Sequence, residues 1–158
     1  MDSVTRVRML EAREALIDVQ HRYAQAWDNR APGLLRSAVH ADAVLYLGER
    51  LGWLEGVEAI IAAAELVWER AASLHNWMAN PLLAIDLVAG TATGKTALDC
   101  VASYVDTGTT HVAGRYLDEY TRVAGVWKIS KRSYEVHART PMPGWAPTQG
   151  TEARILKT

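Results

Sequence analysis

Asp28, His75 and Arg132 are the side chains of this sequence whose types and settings could do chemistry, as a general base, a general-base dyad and a receiver of developing negative charge. Asp28 stands where a helical pattern ends, five residues after Tyr23 and among Ala24, Ala26 and Trp27. A carboxylate turned inward there loses hydration, which raises its pKa and suits it to act as a general base. The plainer alternative is that Asp28, followed by Asn29, caps the break into the next element. His75 opens the apolar segment HNWMANPLLAI. It is either a locally satisfied structural histidine or half of a general-base dyad, in which a carboxylate orients the ring and no nucleophile is needed. Arg132 lies beside Tyr134 and, on a simple hairpin register, opposite Leu117. Its guanidinium either snorkels to solvent or receives an anion developing inside a pocket.

Other reactive residue types lead nowhere comparable. His21, His40, His111 and His137 share no spacing of the kind that holds a metal, so no metal is expected. Cys100 is the single cysteine, which excludes a disulfide framework, and its setting TALDCVASYV reads as a packed thiol in a strand rather than a nucleophile. Ala89 to Thr96, AGTATGKT, fits a loose phosphate-loop template. That loop must open a helix whose N-terminal amides cradle the phosphates, and the residues that follow, ALDCVASYV, are strand-like. A turn between two strands is the better reading.

The elements that must position these residues follow from periodicity. The chain has 158 residues, 49% of them hydrophobic and 22% charged, which fits one domain with a proper core. A formal net charge of -1 gives no reason to expect nucleic acid or an anionic membrane as partner. No signal-peptide pattern or membrane-length apolar stretch is present, so a cytoplasmic location is the default expectation. Ser3 to Asn29 is helical, with Leu16, Gln20, Tyr23 and Trp27 on one stripe. Asn29-Arg-Ala-Pro-Gly breaks it, and Leu34 to Val39 forms a second short helix. Ala43 to Gly48 is a short strand paired with Leu51 to Leu54, and Val57 to Ala72 is another helix. His75 to Asp86, Thr91 to Asp106, Thr110 to Val123 and Val126 to Arg139 are strands punctuated by Gly90, Gly108 and Gly125. The expected fold class is therefore α+β: N-terminal helices packed on a strongly bent antiparallel sheet within residues 1–140. Residues 141–158 form an irregular tail.

The segment from Val112 to Val136 is the most informative stretch. It reads as a hairpin turning at Ala124-Gly125, with Asp118 facing Lys131, Tyr120 facing Ile129 and Arg122 facing Trp127. Tyr116, Tyr120, Trp127 and Ile129 then share the buried face. Strict alternation puts Arg132 on the other face. Only a bulge between Ser130 and Arg132 would bring it into the same cavity as Trp127 and Ile129.

The order of elements, together with the ending GRYLDEYTRVAGVWKISKR, resembles the SnoaL-like branch of the nuclear transport factor 2-like superfamily, a cone-shaped α+β barrel. That branch includes polyketide cyclases, scytalone dehydratase, bile acid dehydratase and lindane dehydrochlorinase. The likeness covers about Ala12 to Pro143, and DEYTRVAGVWKISKR is especially similar to the dehydrochlorinase. It implies that His75 removes a proton from carbon, that Asp28 supports His75, and that Arg132 lines the pocket near the leaving group. Tyr23 stands where the dehydrochlorinase has a lysine and where bile acid dehydratase has a tyrosine able to assist loss of hydroxide.

On that resemblance the expected function is a cofactor-independent lyase, of dehydratase or HX-eliminating type, acting on a hydrophobic small molecule. Candidate pocket walls are Trp27, Tyr46, Trp53, Trp68, Met78, Tyr104, Leu117 and Tyr134. The same residues would serve an isomerase or polyketide cyclase. A non-catalytic binding or assembly module is the reading from another class. A catalytic version needs Asp28 and His75 within hydrogen-bond reach on the floor of an enclosed cavity. A homo-oligomer, trimer or dimer, is expected through the outer sheet face.

Overall fold

A computed structural model describes residues 2–147. Helix α1 (Ser3–Asp28) begins at Asp2, whose carboxylate accepts the Thr5 amide at 2.8 Å, and ends before Arg30, which adopts φ 52°. Ala12, Leu16, Val19, Gln20, Tyr23 and Ala26 recur every three or four residues and are buried. The short helix α2 (Pro32–Ala38) has Pro32 in its first turn, where a missing amide costs nothing. Strand β1 (Val39–Tyr46) follows directly, then β2 (Trp53–Glu55) and helix α3 (Val57–Arg70), which buries Ile60, Ile61, Ala64 and Trp68.

Four long strands complete the chain: β3 (Ala71–Asp86), β4 (Thr91–Tyr104), β5 (Gly108–Val123) and β6 (Val126–Pro141). The sheet order is β2-β1-β6-β5-β4-β3. All neighbours are antiparallel except β1 and β6, which run parallel. The α+β architecture of helices on a strongly bent sheet is the one expected; the sheet is curved and unclosed, and the single parallel pair β1–β6 makes it mixed. β1 and β6 lie far apart in sequence, and nothing local to either encodes their direction.

The phosphate-loop lookalike folds as a turn leading into β4, with Lys95 exposed on one face and Thr96 buried on the other. Pro141, expected in the tail, instead ends β6, and Met142–Pro147 form no regular element. Within it Met142 donates its amide to Thr109, whose hydroxyl donates to the Trp145 carbonyl. The rest of the tail, residues 148–158, lies outside the described residues. Among the described residues no helix is long and apolar enough to cross a membrane.

The hairpin of β5 and β6 turns through Ala124 and Gly125 at φ 50° and 84°, the two positive values a two-residue turn of matching twist requires. Tyr120 pairs with Ile129 and Arg122 with Trp127, as expected. The register then shifts. Glu119 pairs with Lys131, so Ser130 is an extra residue, and Asp118 faces Arg132 rather than Lys131. Leu117 correspondingly faces Ser133, not Arg132. One bulged residue returns Arg132 to the face carrying Trp127 and Ile129.

Asp118 and Arg132 both belong to the buried interior, with side chains 0% exposed. Removing one member strands a charge in a dry core, whereas replacing both by apolar groups does not. Arg132→Met should therefore destabilise by about 3–5 kcal/mol. Arg132→Met combined with Asp118→Leu should recover much of that loss. Urea unfolding midpoints of the three proteins check this, and equal midpoints for the single and double variants would contradict it.

Candidate active site

Two helices and the inner sheet face enclose an aromatic and polar interior. Arg132 donates from Nε to Asp118 Oδ1 at 2.7 Å and from Nη2 to Oδ2 at 2.8 Å, a two-pronged pair. The Tyr120 hydroxyl adds a third donation to Asp118 at 2.6 Å. The guanidinium carbon lies 4.2 Å from the centre of the Tyr23 ring and 4.0 Å from that of Tyr116. Burial works against the Arg132 charge, but the facing Asp118 carboxylate prevails and holds its pKa above the ordinary arginine value. Burial raises the Tyr23 phenol, so Tyr23 stays protonated and can donate.

Asp28 ends α1 half-buried and does not cap it. Asn29 takes the C-cap position, and Asp28 instead reaches across to β3. Its Oδ1 accepts from the Asn76 side-chain amide at 2.6 Å and its Oδ2 from the Asn76 backbone at 3.2 Å. Burial raises the Asp28 pKa from 3.8, opposed by these two bonds and by the charge of His75. His75 is therefore close enough to be felt electrostatically, but no hydrogen bond joins it to Asp28.

The reason lies in β3. Ala71 pairs with Tyr104 and Ser73 with Ser103, so Ala72 is a bulged residue, and a second irregularity falls between Ala79 and Leu82. Between these two points Leu74, Asn76 and Met78 turn toward the helices, while His75 and Trp77 turn outward. The rings of His75 and Trp77 stack with centroids 5.4 Å apart and 15° between planes. The expected Asp28–His75 contact is thus replaced by an Asp28–Asn76 contact, because one bulge sets which of two adjacent side chains points in.

The other candidates divide. Trp27 packs between Tyr23 and Trp68, with ring centroids 6.2 and 5.9 Å away. Tyr134 touches both Tyr46 and Tyr116 at about the same range, and Met78 and Tyr104 lie partly buried against the core. Trp53, 54% exposed on the edge strand β2, packs its ring on Tyr46 with centroids 5.3 Å apart, whereas Leu117 faces away from Tyr116 and Asp118. Two open grooves, of about 720 and 900 Å³, run mainly over outward-facing positions such as Leu117, Lys131, Thr121 and Ser130. Neither is lined by Tyr23, Asp28, His75 or Arg132, so neither is the enclosed cavity expected around the dyad. Cys100 is packed, and burial pushes its thiol to about 12, which leaves it inert as a nucleophile. Among the described residues no group of His, Cys, Asp or Glu is placed to hold a metal.

Sequence reasoning missed Asp118 and Asn76. Asp118 had a usable signal: it shares its alternation with Tyr116 and Tyr120, and a carboxylate on a buried face demands a cation. Asn76 had none, because its direction depends on the bulge at Ala72.

Residues 8–133 match the family model of the SnoaL-like domain, and the chain belongs to that family. Among solved structures, a type 2 hexachlorocyclohexane dehydrochlorinase is similar at 27% identity and TM-score 0.82, over 90% of this chain and 98% of that one. The type 3 dehydrochlorinase of Novosphingobium barchaimii is similar at 27% identity and TM-score 0.80, over 89% and 98%. A candidate scytalone dehydratase of Novosphingobium aromaticivorans has 18% identity and TM-score 0.76, over 94% and 99%, and shares the fold. No curated protein matches the chain.

A carboxylic acid whose folded pKa exceeds its unfolded value holds its proton more tightly in the native state. It therefore weakens folding as pH rises through the interval between the two values. Asp28→Asn should accordingly raise the melting temperature at pH 7, and the gain should shrink as pH falls toward 3.8. Thermal melts across pH check this, and a pH-independent difference would contradict it.

Proposed function

We propose that this protein is a cofactor-independent lyase that takes a proton from carbon in a hydrophobic small molecule and expels a small leaving group. Membership of the SnoaL-like family and similarity to hexachlorocyclohexane dehydrochlorinases support elimination as the reaction type. The observation that carries the reading is Asp28: half-buried at the end of α1 directly after Trp27, raised in pKa by burial, and held by Asn76. The Asp28 carboxylate accepts the proton, and Asn76 holds it in place. Tyr23, kept protonated, assists departure of the leaving group. Arg132 has two of its five N–H groups committed to Asp118, and its buried Nη1, which has no hydrogen-bond partner among the described residues, can meet developing negative charge.

A second reading keeps His75 as the base and Asp28 as its support. It is favoured by the irregularities that bracket Ser73–Ala79, since a one-residue slip there exchanges Asn76 for His75 on the inner face. The electrostatic coupling of His75 to Asp28 fits it as well.

Two assays with the full chain separate these readings. One follows hydrogen–deuterium exchange at the carbon next to the carbonyl of 1-tetralone in D₂O, and the other follows chloride release from hexachlorocyclohexane. Positioned general bases contribute roughly 10²–10⁴-fold. Asp28→Asn should lose activity on that scale under either reading. His75→Ala should stay near wild type if Asp28 is the base and fall equally far if His75 is. A wild-type protein inert in both assays would overturn the lyase reading.

A further inference from the structure

Strand β3 lies at one end of the sheet and, among the described residues, pairs on one side only, with β4. Both ends of β3 are pinned. Arg30 donates from Nη2 to the Ala71 carbonyl, and the Asp86 carboxylate accepts the amides of Val88 and Ala89 at 2.9 Å. Between the pins the ladder is interrupted twice. Ala72 has no counterpart on β4, and Asn80 and Pro81 together oppose Thr96. β4 pairs with β5 without a shift, so the two extra residues belong to β3 alone.

Two extra residues on one strand can be distributed in more than one way. Here one sits at each end of Ser73–Ala79. With both at the Ala72 end, the register of Leu82–Asp86 runs on unbroken: Pro81 meets Thr96, Ala79 meets Leu98, Trp77 meets Cys100 and His75 meets Ala102. Neither pin moves. One ladder is exchanged rather than two, because the outer edge of β3 has no described strand beside it. The exchange returns Asn80 from a left-handed φ of 53° to extended backbone and turns Trp77, 52% exposed, inward. Pro81 has no amide to offer a ladder, which an edge strand tolerates. In the other direction, Leu74 and Met78 leave the core and Asp28 loses its two bonds from Asn76. A strained residue and an exposed indole on one side thus stand against two packed side chains and two hydrogen bonds on the other.

We propose that Ser73–Ala79 exchanges between these two registers, and that the exchange replaces Asn76 by His75 as the residue of β3 that faces Asp28. A slip by one residue turns over every side chain of the segment, so Leu74, Asn76 and Met78 move out as His75, Trp77 and Ala79 move in. In the register of this structure the carboxylate is held by an amide that donates and cannot take up a proton. In the other it faces an imidazole, which does both. The segment is a conformational switch on the group opposite Asp28, driven by whatever binds one register more tightly. The two registers are a property of the strand alone; only their effect on turnover rests on the lyase reading.

Cys100, the single cysteine, reports the register. It packs on the inner side, directly opposite Asn76 in one register and Trp77 in the other. Directly opposed residues of an antiparallel pair lie within disulfide range, whereas neighbours on one strand point to opposite faces. Asn76→Cys and Trp77→Cys therefore each test one register. Under diamide both full-length variants should form an intramolecular bond to Cys100, read by peptide mass mapping. The second should form more slowly, since a register populated at about 0.1–10% is captured only as it appears. In the unaltered chain the His75 imidazole, assigned with His75→Gln, should show exchange between two environments by NMR relaxation dispersion. No bond to Cys100 in a Trp77→Cys protein that melts cooperatively, or a single His75 environment in the unaltered chain, would each overturn the proposal. If Trp77→Cys does not fold, the imidazole signals decide. Deuterium exchange into 1-tetralone should change when Trp77→Cys is crosslinked, upward if His75 is the base and downward if Asp28 is. An unchanged rate with the bond formed would contradict the lyase reading and not the switch.

Discussion

The fold depends on hiding a full ion pair inside an aromatic core. Asp118 and Arg132 arrive from adjacent strands, give up all hydration, and meet in a two-pronged contact that Tyr120 completes. Desolvating two charges costs more than their attraction returns unless geometry and hydrogen bonds are close to ideal. The arrangement therefore contributes less to net stability than to uniqueness. It makes the bulge at Ser130 obligatory, since any register without that bulge points Arg132 at solvent and leaves Asp118 alone in the dry interior. It also fixes where Tyr23 and Tyr116 lie, because both rings rest on the guanidinium.

From that centre the interior grades toward α1 and α3 through Tyr23, Trp27 and Trp68, and toward β1 through Tyr134 and Tyr46. Six tryptophans and six tyrosines in a chain without phenylalanine give this interior a polar handle on nearly every ring. Asp28 ends α1 half-buried, its pKa raised by burial, and is tethered by one asparagine.

The two bulges on β3 decide which of its side chains turn toward the helices. A strand flips every side chain when its register moves by one, so the Ala72 bulge selects Asn76 over His75 as the partner of Asp28.

The sequence by itself determined the elements. Helical stripes marked α1 and α3, alternation and glycine punctuation marked the four long strands, and the turn at Ala124-Gly125 set the pairing of Tyr120 with Ile129. These signals are local, carried by residues a few positions apart, and so legible. Parity even showed that Arg132 needed a bulge to turn inward. Tertiary structure decided the rest. The parallel docking of β1 on β6, the choice of Ser130 and Ala72 as the bulged residues, and the resulting partners Asp118–Arg132 and Asp28–Asn76 all depend on segments distant in the chain. A bulge is one residue's difference in register, invisible to a pattern of period two until the neighbouring strand is in place to count against.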